Sequence, residues 1–375
     1  MDQVQPVLAP HLAEPDGDFQ TLHEFVAAAR SKLPANIWDY LVGATETETT
    51  MRRNRLALDT IALRPRVMRD VSNVDVSANF LGGRSRLPVM LAPVGSLESF
   101  HPEGAAEAGR GAAEFGVPII VSSVTKPGLE ESAVACAGRK IFQLYVRGDD
   151  AWIDAIVRRA IDAGYEQFCI TVDTASYSRR ERDIARRFVK PWRAAATGVE
   201  FQAAFSWDNV CHFKETWKIP LMLKGIATAE DADLACRAGV DTIYVSNHGG
   251  RQLDHGRGAM DVLPEVVAAV AKRAGVVVDG GFCRGTDIVK AIAMGADAVA
   301  IGRLYCYALA AGGASCVRQM LELLETETAI AMALLGETSF SDINGTHIHR
   351  GAPAVTAPHV HSAFPLLFPT PESMI

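Results

Sequence analysis

A histidine and an arginine stand three residues apart in the segment 246–254, which reads Ser-Asn-His-Gly-Gly-Arg-Gln-Leu-Asp. Residues 241–245 before it are mostly β-branched or aromatic, which predicts a buried strand. His248 then lies at a strand end, and the two glycines after it let the backbone turn sharply or approach a ligand. Arg251 presents a planar guanidinium that can hold a carboxylate through two hydrogen bonds. A base beside such an anion site suits proton abstraction next to a carboxylate, whereas the alternative is a structural histidine with a solvated arginine.

Three further residues could share this chemistry. Lys224 ends an apolar run, so we expect it to be partly desolvated. It could be a Schiff-base nucleophile, as in an aldolase, or a fixed positive charge beside a cofactor. Asp173 ends another apolar run and can orient His248 and stabilise its protonated form. Arg180, in the long connection after Asp173, can supply a second contact to an anionic substrate.

The composition limits the classes of protein to consider. The chain has 375 residues, of which 49% are hydrophobic and 22% charged, and this predicts a globular protein. A net charge of −7 argues against nucleic acid or an anionic membrane as the main partner. We expect no membrane anchor, since no apolar run is long enough to span a bilayer, and no signal peptide, since residues 1–6 lack a basic n-region and an apolar h-region. The seven cysteines lack C-x-x-C spacing, which favours a cytoplasmic protein with mostly buried thiols.

The hydrophobic pattern predicts an α/β fold. Short apolar runs bounded by turn residues alternate with helix-like segments, as expected for strands buried on both faces of a parallel sheet. Eight such units match a TIM (β/α)8 barrel. A doubly wound open sheet is the alternative, but no G-x-G-x-x-G follows the first strand. The predicted strands are residues 88–93, 118–122, 140–145, 167–173, 220–224, 242–247, 275–281 and 298–303.

The segments that precede, interrupt and follow the barrel strands each have a predicted role. Residues 1–18 are predicted to be a flexible arm, and residues 19–340 the barrel domain, with helices near its start forming an N-terminal cap. The connection after the fourth strand is much longer than the others and is predicted to form a lid over the strand ends. Residues 341–375 are predicted to be a C-terminal tail. Its histidine pairs, His347 with His349 and His359 with His361, are weak metal candidates, and we expect no metal site.

Two glycine-containing loops indicate a phosphate site. The motif Asp279-Gly280-Gly281 follows the predicted seventh strand, and Gly302-Arg303 follows the eighth. Loops at these positions of a TIM barrel often bind phosphate through backbone N–H groups. We therefore expect a phosphorylated cofactor or substrate, the alternative being that these glycines only form tight turns.

Taken together, these motifs resemble those of the FMN-dependent α-hydroxy-acid oxidases and dehydrogenases. That family includes glycolate oxidase, lactate oxidase and dehydrogenase, and mandelate dehydrogenase. The resemblance runs from about residue 22 to residue 335. Besides segment 246–254, it rests on Leu33-Pro34, Trp38-Asp39-Tyr40, Ala92-Pro93, His101-Pro102-Glu103-Gly104, Gln143-Leu144-Tyr145, Thr171-Val172-Asp173-Thr174, Arg179-Arg180-Glu181, Leu223-Lys224-Gly225, Asp279-Gly280-Gly281 and Arg284-Gly285-Thr286-Asp287.

The resemblance implies oxidation of an L-2-hydroxy acid to the 2-oxo acid. His248 would be the base, paired with Asp173, and Lys224 would stabilise negative charge on the reduced flavin. Arg180 and Arg251 would hold the substrate carboxylate, while Tyr40 and Tyr145 would orient its oxygens. FMN would contact Pro93, Val94, Gly95, Ser122, Gln143, Thr171, Lys224, Ser246, Asp279, Gly280, Gly281, Gly302 and Arg303.

The resemblance also carries expectations about partners. Oxygen or an electron carrier such as a quinone would reoxidise the flavin. The protein would be a homo-oligomer, either a tetramer or an octamer.

The sequence departs from the family pattern in three places. Cys283 stands where the family usually has an arginine near FMN, which leaves flavin affinity and local charge open. Val124 and Lys126 follow Ser122 where many relatives have an aromatic residue near the substrate, so the side-chain pocket can differ. The insertion after Asp173 is shorter than in many members. Cys283 also motivates an alternative function, a flavin-binding protein without turnover.

Overall fold

The computed structural model describes residues 18–194, 196–351 and 363–364. Three helices, α1 (Leu22–Lys32), α2 (Ala35–Val42) and α3 (Thr49–Asp59), are the first elements of the described chain. Three short strands follow, β1 (Ile61–Leu63), β2 (Ala78–Phe80) and β3 (Gly83–Ser85), of which β2 and β3 pair as an antiparallel hairpin. These elements precede the barrel in the chain, and their role as a cap stays a prediction.

Eight parallel strands form a closed barrel. Each lies within or overlaps one of the eight apolar runs read from the sequence, so the predicted barrel is confirmed and the open-sheet alternative is wrong. The barrel closes where the last strand pairs with the first, with Val299 opposite Val89. The strands are β4 (Val89–Leu91), β5 (Ile119–Ser122), β6 (Lys140–Leu144), β7 (Gln167–Thr171), β8 (Leu221–Ile226), β9 (Thr242–Val245), β10 (Gly275–Val278) and β11 (Ala298–Ile301).

The barrel interior is a packed core with no central channel. Side chains that alternate along the strands point inward and fill it, while their neighbours face the surrounding helices. Phe80, on the β2–β3 hairpin, packs onto this interior cluster. The inward-facing members are Met90, Ile120, Ile141, Cys169, Met222, Tyr244, Val277, Ala298 and Ala300.

Helices surround the barrel at the places where the sequence predicts them. The last helix is the longest and breaks at Gly312 and Gly313, whose backbone is not helical. The first helix, α1, begins in a capping box between Thr21 and Glu24, and it packs on the last helix. The outer helices are α4 (Gly104–Phe115), α5 (Leu129–Ala135), α6 (Asp150–Asp162), α10 (Trp207–Thr216), α11 (Ala229–Arg237), α12 (Ala259–Val270), α13 (Gly285–Ala293) and α14 (Arg303–Leu335).

The long connection between β7 and α10 contains three short helices, α7 (Glu181–Ala185), α8 (Pro191–Ala194) and α9 (Val199–Ala204). Gln202 fixes this insertion to the barrel. Its amide nitrogen donates to the Thr171 carbonyl oxygen at 3.0 Å, and its amide oxygen accepts from the Val146 N–H at 2.7 Å. The insertion therefore sits at the carboxyl ends of the strands, and its movement as a lid stays a prediction.

The C-terminal region contributes to the folded body. Strand β12 (Ile348–Arg350) pairs with β1, and Phe364 is buried. Residues 1–17, nearly all of the predicted arm, lie outside the described residues, as do His359 and His361. Among the described residues, no helix is long and apolar enough to cross a membrane.

Candidate active site

A cavity of about 620 Å³ opens at the carboxyl ends of the barrel strands. Most of the residues predicted from the sequence line it, although they come from eight different segments of the chain. Those on the wall are Tyr40, Pro93, Val94, Gly95, Tyr145, Arg180, Lys224, His248, Arg251, Asp279, Gly280, Gly281, Gly302 and Arg303.

Three of the other predicted cofactor residues form a buried chain across neighbouring strands. The Ser122 hydroxyl donates to the Gln143 amide oxygen at 2.7 Å, and the Gln143 amide nitrogen donates to the Thr171 hydroxyl at 2.9 Å. All three side chains are at most 2% exposed. Each of the three neighbouring strands supplies one member, so the chain links the ends of β5, β6 and β7 below the cavity.

His248 follows β9 in a conformation that few residues adopt. Its φ of 58° lies in the left-handed region, and Gly249 and Gly250 after it also have positive φ. A Cβ on Gly250 would lie 2.5 Å from the Met51 backbone nitrogen, so only glycine fits against α3. Such strain is found where the surrounding structure over-determines the backbone, commonly at functional sites.

The ring of His248 is fixed at both nitrogens. Nδ1 lies 2.9 Å from Asp173 Oδ1, and Nε2 lies 3.3 Å from the Tyr145 hydroxyl. Burial lowers the pKa of His248 to about 4, although Asp173 opposes this change. The imidazole is therefore uncharged at neutral pH. With Nδ1–H donating to Asp173, Nε2 is the basic atom that faces the cavity.

Asp173 and Lys224 form a buried charge pair behind this ring. Lys224 Nζ lies 3.9 Å from Asp173 Oδ2, an oxygen that has no hydrogen-bond partner among the described residues. Burial raises the pKa of Asp173, but its interactions with His248 and with the Lys224 ammonium outweigh this and hold the value below its usual range. A β-bulge at Gly225 brings the backbone of β8 close to Asp173, since a Cβ on Gly225 would lie 2.7 Å from Asp173 Cβ.

Lys224 also belongs to a second network. Its Nζ donates to the Ser246 hydroxyl at 3.1 Å, and that hydroxyl donates to Asp279 Oδ1 at 2.7 Å. Tyr244 donates to the other carboxylate oxygen at 2.9 Å. Burial raises the pKa of Asp279. Lys224 is thus a fixed cation at the cavity wall, held from two sides.

Two arginines of the cavity wall lack a carboxylate partner among the described residues. Arg251 Nη1 donates to the backbone oxygens of Tyr40 and Gly43, at 2.9 and 2.6 Å. Arg180 makes only long hydrogen bonds of 3.3 Å to neutral groups, including the Arg251 carbonyl. Burial and the neighbouring Arg180 lower the pKa of Arg251 to about 10. An anion bound between the two guanidiniums would relieve this repulsion.

The two predicted tyrosines take different positions. Tyr145 reaches His248, as described above. The Tyr40 hydroxyl donates to the Gly95 carbonyl oxygen at 3.0 Å, and its ring lies under Arg251 and Lys190, at 5.0 and 4.8 Å from ring centre to cation. Burial raises the pKa of Tyr40, so it stays a neutral donor.

We call the part of the cavity lined by Gly280, Gly281, Gly302 and Arg303 the glycine end. The first two glycines have positive φ, and a Cβ on Gly302 would meet nothing within 4 Å. Arg303 donates to three backbone oxygens, on Leu41, Gly43 and Gly249. Exposed backbone and one guanidinium form an environment that suits a phosphate group.

A buried ion pair supports this end of the cavity. Arg55 makes two hydrogen bonds of 2.8 Å to Asp287 and one of 3.0 Å to the Gly281 carbonyl oxygen. Asp287 also accepts from the backbone N–H of Cys283. The Cys283 side chain is 5% exposed and lines the cavity, and burial raises the pKa of its thiol to about 12. It is an uncharged thiol where the resemblance leads one to expect an arginine.

These features fit FMN. The glycine end offers phosphate donors, the backbone at Pro93 to Gly95 leaves an open wall, and Lys224 offers a cation to an electron-rich ring edge. Placed this way, FMN would lie beside the basic nitrogen of His248.

Several residues of the cavity wall were not predicted from the sequence. Trp192, Tyr177 and Arg147 come from the insertion and from the loop after β6, and Phe364 comes from the C-terminal tail. The charged and aromatic residues of the insertion were a possible signal that Trp192 and Tyr177 line the cavity. No sequence signal marks Phe364.

Comparison with known proteins agrees with this geometry. Residues 29–350 match the sequence model for FMN-dependent dehydrogenases. Glycolate oxidase 1 of Oryza sativa subsp. indica is 38% identical over 364 residues, covering 91% of this chain and 99% of that protein. The peroxisomal (S)-2-hydroxyacid oxidase GLO3 of Arabidopsis thaliana is 38% identical, covering 87% and 95%. A crystal structure of mandelate oxidase with (S)-2-phenylpropionate superposes with a TM-score of 0.83 at 40% identity, covering 90% and 100%.

The chain belongs to the FMN-dependent dehydrogenase family. This confirms the family and the FMN cofactor predicted from the sequence. It also replaces the aldolase interpretation of Lys224, because the family performs oxidation and reduction.

Proposed function

We propose that this protein oxidises an L-2-hydroxy acid to the corresponding 2-oxo acid. One observation carries the proposal: the uncharged imidazole of His248, backed by a carboxylate, shares a cavity with Arg180 and Arg251, which have no carboxylate partner in the described part of the chain. The relatives named glycolate oxidase and (S)-2-hydroxyacid oxidase support the substrate class.

In the proposed reaction, Arg180 and Arg251 bind the substrate carboxylate. This places the carbon that bears the hydroxyl near His248 Nε2, which accepts a proton from the substrate. Asp173 stabilises the imidazolium that results, through the hydrogen bond to Nδ1. Tyr145, 3.3 Å from Nε2, orients the reacting oxygen, and Tyr40 contributes at the carboxylate side.

Bound FMN supplies the two-electron oxidation. Lys224 is the cation placed to stabilise negative charge that develops on the flavin edge, and the Ser246–Asp279 network keeps its ammonium in position. Gln202 and the insertion cover the strand ends and limit the access of water.

We further propose a substrate with a bulky apolar or aromatic side chain. Val124 and Trp192 flank Gly95 on the cavity wall, since a Cβ on Gly95 would lie 2.7 Å from Val124 Cγ2 and 3.8 Å from Trp192 Nε1. Valine leaves more room at this position than an aromatic residue. The likeness to mandelate oxidase structures supports the same choice.

The proposal extends to partners and location. Oxygen or an electron carrier such as a quinone accepts the electrons, and the protein works as a homo-oligomer, tetrameric or octameric, in the cytoplasm. The seven free cysteines support a reducing compartment. The exposed apolar side chains of Val67 and Met68 are candidates for a subunit contact.

The decisive experiment is a visible spectrum of the purified protein, followed by a panel of 2-hydroxy acids added without oxygen. We expect the visible absorbance of an oxidised flavin, and we expect it to bleach fastest with acids such as mandelate. Bound flavin that no 2-hydroxy acid bleaches would instead support the alternative of a flavin-binding protein without turnover. A protein that takes up no FMN would contradict the proposal as a whole.

A further inference from the structure

The C-terminal tail contributes a side chain to the cavity. Phe364 is 1% exposed and lies on the cavity wall, although residues 351–375 fall outside the segment matched by the family model. A phenyl ring buried this completely is held by tertiary packing.

One hydrogen bond places Phe364 beside the loop that leads away from the glycine end. Arg284 Nη1 donates to the Ala363 carbonyl oxygen at 3.0 Å, and Arg284 directly follows Cys283, whose side chain lines the same end. Glu327 orients the Arg284 guanidinium, accepting from its Nε at 3.0 Å. The backbone next to Phe364 is therefore tied to the loop that follows β10.

Helix α1 supplies the other side of the binding pocket for this ring. The His23 ring meets Phe364 edge to face, with centroids 5.6 Å apart and planes at 80°. Both His23 nitrogens are buried and have no hydrogen-bond partner among the described residues. Burial and the Arg284 charge lower the pKa of His23, so the neutral ring acts as a packing surface for the phenyl group.

We propose that Phe364 closes the glycine end of the cavity and slows the release of FMN. A phenyl ring there excludes water from the phosphate. In the resulting low dielectric, the attraction of Arg303 and the backbone N–H groups for the phosphate is stronger. The neutral Cys283 side chain, small and uncharged, is compatible with an apolar wall at this place. Because Phe364 covers the phosphate, FMN stays bound without part of the electrostatic attraction that an arginine at position 283 would add.

The test compares FMN release from the full-length holoenzyme and three variants, followed by the rise in free-flavin fluorescence after dilution. We expect Phe364→Ala to release FMN on the order of tenfold faster, because truncation opens this wall. Phe364→Leu keeps an apolar side chain and should release FMN at nearly the native rate. Phe340→Ala is the control, since Phe340 is a buried phenylalanine in the same C-terminal region that does not line the cavity.

Thermal melting of each variant separates the proposed role from general destabilisation. Phe340→Ala should melt at a lower temperature without faster release well below its melting temperature. An unchanged release rate in a folded Phe364→Ala would overturn the proposal, as would equal acceleration in the Phe340→Ala control. If Phe364→Ala does not fold, Phe364→Val, which removes less apolar contact, provides the same comparison. No substrate is needed, so this result is independent of whether the flavin can be reduced.

Discussion

At the scale of single residues, His248 unites a strained backbone with a buried, uncharged ring. The left-handed φ of 58° aims the side chain into the cavity, and the 2.9 Å contact with Asp173 fixes which nitrogen is basic. Three properties of one residue can therefore be tested separately: its role as base, its pKa and its tolerance of substitution.

Replacing His248 with asparagine should stop flavin reduction while leaving FMN bound. Asparagine tolerates the left-handed conformation but cannot act as a base at neutral pH. We expect the anaerobic reduction rate to fall by roughly 10²- to 10⁴-fold. Stopped-flow absorbance gives this rate, and the flavin content of the purified variant is its control. A variant that reduces flavin at the native rate would rule out His248 as the base.

The rate of flavin reduction should begin to decline with acidity only at unusually low pH. The pKa of His248 is lowered to about 4 by burial, so the free enzyme keeps its base unprotonated down to that value. The second-order rate of flavin reduction, which reports the free enzyme, should be flat from about pH 8 to about pH 5 and decline below that. A decline already between about pH 7 and 6 would indicate an ordinary histidine pKa near 6.5.

Val124 should set the size of the accepted side chain. Val124→Trp fills the space beside Gly95 and Trp192, so we expect kcat/KM for mandelate to fall about 100-fold and that for lactate by less than about tenfold. Steady-state kinetics with both acids measures the ratio. Equal losses for the two acids would mean that the variant damages the site in general and does not narrow the side-chain pocket.

At the scale of elements, helices from outside the barrel hold the loops at its carboxyl edge. Asn54 on α3 exchanges two hydrogen bonds with Asn247, at 2.9 and 2.7 Å, and so supports the turn that carries His248. Arg55 on the same helix binds the loop after β10 through Asp287. One helix therefore positions both the base and the glycine end.

Breaking the Arg55–Asp287 pair should cost more stability than breaking a surface pair. Asp287→Asn removes one of the two carboxylates that pair with the buried Arg55 and leaves only Asp59, 2.7 Å away, so we expect the free energy of unfolding to fall by about 3 kcal/mol, the low end of the cost of breaking a buried pair. The matched control is Glu265→Gln, which removes the partner of Arg257 in a pair whose side chains are 49% and 37% exposed; its cost should stay below about 1 kcal/mol. Urea denaturation measures both. Similar losses in the two variants would contradict a structural role for the buried pair.

At the scale of the whole molecule, cofactor binding should stabilise the fold through the phosphate. FMN at 100 times its Kd adds about 2.7 kcal/mol to the free energy of unfolding by mass action, so removing FMN should lower Tm. Riboflavin lacks the phosphate and should raise Tm less at the same concentration, because Arg303 and the glycine loops then have no anion to bind. Thermal scans of the apo-protein with each flavin test this. Equal shifts would mean that the glycine end does not recognise phosphate.

Sequence patterns predicted the strands, which recur along the chain, and the polar residues that directly follow them. Short apolar runs bounded by turn residues located all eight strands, and because parallel strands end at one edge, Asp173, Lys224 and His248 could be expected together. Gln202 and Phe364 could not be found this way. Each lies in a segment without periodicity, and its position depends on contacts with residues far away in the chain.

The closure of the barrel has a consequence for how the protein is made. Strand β4 lacks its second neighbour until β11 has been synthesised, and helix α1 lacks its packing surface until α14 has left the ribosome. Synthesis proceeds at about 5–20 residues per second, so the early strands wait on the order of ten seconds or more with open edges. Nascent chains of this protein should therefore depend on chaperones that shield unpaired strands until translation ends.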